Sequence, residues 1–122
     1  MSASVPVPKA EVLPEILDTE PMIRNFGGLG PTVTMLYDLF LRNERDLAER
    51  LRDHLEKGEL AEARLAAHAA AGAAHTAGAR RLAGLLSVIE DTLAKGDADN
   101  ARAQSKALAP ALDDVHSMIA RL

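Results

Sequence analysis

His68 lies in a run of small residues, Arg64-Leu-Ala-Ala-His68-Ala-Ala-Ala-Gly72-Ala-Ala-His75-Thr-Ala-Gly78-Ala79, where the chemistry on offer is that of an imidazole on an alanine-rich helix. At 100° per residue, Ala63, Ala66, Ala70, Ala73 and Ala77 recur at alternating spacings of three and four and form an apolar stripe. His68 falls on the opposite side. Ala61, Arg64, Ala71, Gly72, His75 and Ala79 share its face, with Leu65 at the edge, so the ring is expected in solvent among mainly small side chains. A neutral imidazole so placed is an accessible nucleophile and can attack an acyl phosphate without a base of its own.

Gly72 adds to this expectation. Every neighbour from 69 to 74 is alanine, and a mid-helix glycine costs about 1 kcal/mol relative to alanine. One turn after His68, on the same face, a missing methyl leaves room for a bulky group on the ring or for a partner's side chain. The competing explanation is a close helix crossing at Gly72.

Other chemistries fit less well. His68 and His75 are separated by about 10 Å along a helix axis, too far for one metal ion, and no His-x-x-x-His or Glu-x-x-His pair stands in this helix. A hydrolytic triad needs a serine or cysteine nucleophile on a strained turn with an oxyanion hole, and nothing supplies one. The glycine-rich Gly27-Gly28-Leu29-Gly30 lacks both a preceding strand and a following Gly-Lys-Ser/Thr, so it reads as a turn and not a phosphate loop. His54 and His116 are assigned no chemical role. Enzymatic turnover is therefore not expected.

His68-Ala-Ala-Ala-Gly72 followed by Gly78-Ala79, in a small helical chain, resembles the histidine-containing phosphotransfer (HPt) domain of two-component phosphorelay signalling. That family's motif reads His-x-x-Lys-Gly and then Gly-Ala; His68, Gly72, Gly78 and Ala79 match. The resemblance extends more weakly over about residues 16 to 122, through Ile16-Leu17-Asp18, Tyr37-Asp-Leu-Phe40, Glu59-Leu60 and Leu86-x-x-Ile89-Glu90. It implies a carrier in which His68 accepts a phosphoryl group from the aspartate of one receiver domain and passes it to another. It also implies a magnesium ion on the receiver and no cofactor on this chain. The partners implied are response-regulator receivers, a hybrid histidine kinase, or both.

Ala71 departs from the family, which places lysine there near the phosphoryl oxygens. Arg64, one turn before His68, is the nearest substitute, His75 the second, with Arg80 and Arg81 beyond. The departure gives weight to an alternative: a degenerate HPt-like bundle that binds a receiver or other partner and regulates it without carrying phosphate.

The elements that must position His68 follow from punctuation and period. Residues 1–15 hold three prolines and no helical period and are expected as an extended or disordered arm. Asp18 or Thr19 can cap a short helix to about Asn25. Pro31 opens a long second helix to about Lys57, on which Val33, Leu36, Phe40, Leu47, Leu51 and Leu55 keep a helical spacing that Glu44 interrupts. Gly58 closes it. The histidine helix runs from about Glu59 to Ala77 with Gly78 as its C-cap, and a fourth from about Ala79 to Lys95 buries Leu82, Leu86, Ile89 and Leu93. Asp97 caps the last helix, whose Ala101, Ser105, Leu108, Leu112, Val115, Ile119 and Leu122 form an unbroken stripe. Pro110 predicts a kink near 106 to 110 or a restart at Ala109. Together these predict an all-α, up-down-up-down antiparallel four-helix bundle over residues 16–122 with a short additional N-terminal helix.

Composition agrees with a single helical domain. The chain has 122 residues, two phenylalanines, one tyrosine, no tryptophan and no cysteine, which excludes disulfides and thiolate metal sites. A net charge of −4 with both signs interspersed offers no basic stripe for nucleic acid. No apolar run approaches the ~20 residues that span a bilayer. A cytoplasmic monomer is expected.

Overall fold

A computed structural model describes residues 13–122. Six helical segments follow in order: α1 (Glu20–Phe26), α2 (Pro31–Glu56), α3 (Leu60–Ala77), α4 (Arg80–Ala94), α5 (Ala98–Ser105) and α6 (Leu108–Ala120). There is no strand among the described residues. α3 packs along both α2 and α4, and the α5–α6 pair closes the bundle against the same two helices. The four-helix bundle with its short N-terminal helix is as expected.

The caps follow the local chemistry. The Asp18 carboxylate accepts from the Glu20 amide at 3.1 Å, Thr19 being the N-cap residue without a side-chain bond. The Asp97 carboxylate accepts from the Asn100 amide at 3.2 Å at the start of α5. α5 ends at Ser105 and α6 begins at Leu108, which puts Pro110 in the first turn of a new helix, where its missing N–H has no intrahelical partner to lose. Leu122 lies beyond α6 and is exposed, so the predicted stripe stops at Ile119.

α2 is rotated from the expected register. Its buried face is Val33, Tyr37, Leu41, Glu44, Ala48, Leu51 and Leu55, while Leu36, Phe40 and Leu47 sit at the half-buried edge. Glu44 does not interrupt the stripe; it belongs to it. Both carboxylate oxygens are buried without a hydrogen-bond partner among the described residues, and burial pushes the group up to about 8. Tyr37 is likewise enclosed, its phenol pushed up to about 12 by burial first and by the negative Asp18 second.

Residues 1–12 of the expected arm lie outside the described residues. Residues 13–16 form a turn, and the turn and the residues after it are held firmly: the Glu15 carbonyl accepts from the Arg81 amide at 2.9 Å, and the Asp18 amide donates to the Gly78 carbonyl at 2.8 Å. Ile16 and Leu17 are buried in the core. The N-terminal segment therefore closes the end of the bundle where α3 turns into α4.

Candidate functional site

His68 projects from the middle of α3 with its side chain 74% exposed, and its Nδ1 lies 2.8 Å from Oε2 of Glu90 on α4. A carboxylate only accepts, so in the neutral imidazole Nδ1 carries the proton and the lone pair is left on Nε2. The register of the hairpin makes the pair: His68 is ten residues before Gly78 and Glu90 eleven after Ala79. Sequence reasoning placed Glu90 within a resemblance and gave it no role. Near-equal counting from the α3–α4 turn, ten residues back and eleven on, was the signal that could have found it.

Gly72 is exposed, and a Cβ built there meets nothing within 4 Å. Among the described residues no helix crosses at this point. The glycine leaves a clearing one turn from the imidazole, on solvent.

The face assigned to α3 needs three corrections. Ala71 is 4% exposed and belongs to the core, together with Ala63, Ala67, Ala70, Ala74 and Ala77; Ala66 and Ala73 are only half-buried. The buried face is turned from the predicted stripe because α3 is covered from two sides, by α2 and by α4, so its interface is wider than one row. Ala79 is not on the histidine face: it is fully buried beyond the end of α3. The position where the family carries lysine is thus an interface position, and its methyl fills that interface.

Gly78 does more than end the helix. Its φ is +81°, and a Cβ at this position would stand 2.2 Å from the Asp18 carbonyl oxygen. Glycine is required both by the left-handed backbone and by the approach of the N-terminal segment.

Arg64 and His75 are exposed on either side of His68 along α3, and neither makes a side-chain hydrogen bond or ion pair among the described residues. Arg81 points its charge elsewhere, 3.9 Å from the Glu15 carboxylate. His54 pairs with Glu59 at 2.8 Å near the α2–α3 turn, and His116 is exposed on α6. Among the described residues no three His, Cys, Asp or Glu side chains group as metal ligands. No described helix is long and apolar enough to cross a membrane.

Beside His68 the seam between α2 and α3 is an open groove lined by Leu47, Leu65, Ala66 and Ala69 with Arg50, His54 and Glu62 at its polar positions. Leu65 is 68% exposed there. Small side chains along α3 make the floor shallow, which suits a protein surface better than a small molecule.

Comparison with known protein families matches residues 35–122 to the Hpt domain, a span that takes in α3, α4 and the His68–Glu90 pair. No curated protein and no solved structure matches the chain.

Proposed function

The chain belongs to the Hpt domain family, and on that premise we propose that it is a phosphohistidine carrier of a two-component phosphorelay. His68 Nε2 accepts a phosphoryl group from a receiver-domain aspartate and passes it to another receiver. The observation that carries this reading is the His68–Glu90 hydrogen bond: it fixes the tautomer and leaves the nucleophilic lone pair on the exposed nitrogen. Gly72 keeps the adjacent turn clear for the group and for the approaching partner.

The receiver brings the magnesium ion and its own acidic cluster, so this chain supplies positioning and charge. Arg64, unpaired and one turn from His68, balances the phosphoryl oxygens in place of the family lysine, with His75 as second support. The α2–α3 groove around Leu65 receives the partner, a response regulator or a hybrid histidine kinase. The chain works as a cytoplasmic monomer, is modified and regenerated, and performs no turnover of its own.

A second reading is favoured by Ala71. No ammonium group stands at the family's lysine position, and the alanine is packed into the helix interface. A bundle of this kind would dock a receiver and regulate it without carrying phosphate.

Transfer from a phosphorylated receiver to the wild-type chain and to His68→Ala separates the two. Acid-labile, alkali-stable label on wild type alone is expected; absence of label despite binding to matched receivers would select the docking module.

A further inference from the structure

The carboxylate on His68 has a consequence for the product as well as for the nucleophile. We infer that Glu90 sets the lifetime of the phosphorylated state, by keeping Nδ1 protonated after Nε2 has taken the phosphoryl group. The inference rests on the carrier reading of His68.

The step balances without a proton moving. As the Nε2 lone pair forms the N–P bond, the P–O bond of the aspartyl phosphate breaks and its electron pair leaves on the aspartate oxygen. The ring now holds both the Nδ1 proton and the phosphoryl group, and is an imidazolium. Glu90, 2.8 Å from Nδ1, is the counter-charge for that cation. In the outward step a receiver carboxylate attacks phosphorus, and the N–P pair returns to Nε2 to give the starting tautomer. A cationic ring is the better leaving group, which is why phosphoimidazoles are labile in acid. Glu90 builds that lability into the site at neutral pH.

The surroundings leave this role to Glu90. Among the described residues no other side chain bonds the ring, and the charged or titratable neighbours on its own helix, Arg64 and His75, are placed along α3 one and two turns away. Glu90 is 21% exposed, so its carboxylate is held against the bundle while the ring it touches stands in water. A neutral amide at this position has no charge to balance the imidazolium, and it can turn its NH2 toward a deprotonated Nδ1. The phosphorylated ring would then be neutral and slower to release its group.

Phosphoramidate, a small donor that needs no receiver, tests this on the intact chain. Wild type, Glu90→Gln and Glu90→Ala are labelled, freed of donor, and followed at pH 7.5 for loss of phosphate, with ring 15N shifts reporting the Nδ1 proton. The expected result is a phosphohistidine that lasts about tenfold longer in Glu90→Gln, the size of one charge-assisted hydrogen bond, with the Nδ1 proton lost from its spectrum. Glu90→Ala should also outlast wild type. Labelled His68 with equal or shorter lifetimes in both variants would overturn the inference and leave the carrier reading intact. No label on wild-type His68 would remove the carrier reading, and the inference with it.

Discussion

The Asp18 carbonyl oxygen and the α-carbon of Gly78 approach so closely that a single methyl on the glycine would come to 2.2 Å from the oxygen. The same two residues are joined by a 2.8 Å hydrogen bond from the Asp18 amide to the Gly78 carbonyl. Gly78→Ala must therefore open the contact between the N-terminal segment and the α3–α4 turn, and must also hold alanine at a φ of +81°. We expect a loss of more than about 2 kcal/mol in urea unfolding.

Gly72 predicts the opposite sign. Nothing among the described residues lies within 4 Å of its missing Cβ, so Gly72→Ala should raise stability by up to about 1 kcal/mol. Phosphoryl transfer from a receiver should fall in the same variant. A stabilised chain with unchanged transfer would show that the clearing serves neither the phosphoryl group nor the partner.

Glu44 makes folding depend on pH. Its carboxyl is pushed from 4.5 up to about 8 by burial. Between those values the folded chain holds a proton that the unfolded chain has released, so stability falls as pH rises through the window. The fall is about 5 kcal/mol at most. Glu44→Gln, which has no proton to release, should flatten the dependence in urea titrations at pH 5, 7 and 9.

Arg64 and Arg81 should separate in transfer assays. Arg64→Ala removes an unpaired charge one turn from His68 and should slow receiver-to-His68 transfer about tenfold. In Arg81→Ala the backbone bond to Glu15 survives and transfer should be unchanged, since that guanidinium faces the Glu15 carboxylate. Equal effects would take the charge-balancing role from Arg64.

Ala71→Lys tests the departure from the family motif. The position is 4% exposed, so the lysine stem must run out of the helix interface before its ammonium meets water. We expect faster phosphorylation of His68 together with a stability loss of about 1 kcal/mol, read from stopped-time transfer and thermal unfolding.

The helices and their ends were legible because glycine, proline and capping carboxylates act locally: Gly58, Gly78, Gly96 and Asp97 stand where the segments break. His68 and Gly72 were legible because an alanine background makes any exception conspicuous. Helix rotation was not legible on α2 or α3. On α3 nearly every side chain is a methyl, so hydrophobicity cannot tell Ala66 from Ala67, and only the arrival of α4 decides that Ala71 is covered. On α2 a carboxylate at Glu44 breaks the apolar period although the backbone carries it straight into the core. Glu90 went unassigned for a different reason: its bond to His68 joins two helices, and a pattern read along one helix does not contain it.

The anchored N-terminal segment bears on how portable the family module is. The Hpt match begins at residue 35, yet Ile16 and Leu17 are buried core residues and Asp18 is bonded to the Gly78 of the family's own Gly-Ala pair. Residues 35–122 grafted alone into another protein would carry His68 and the α2–α3 groove but would bare the α3–α4 turn to water. The inheritable signature and the folding unit are different lengths of chain, and a chimaera that respects only the first would carry His68 on a bundle with one end unsealed.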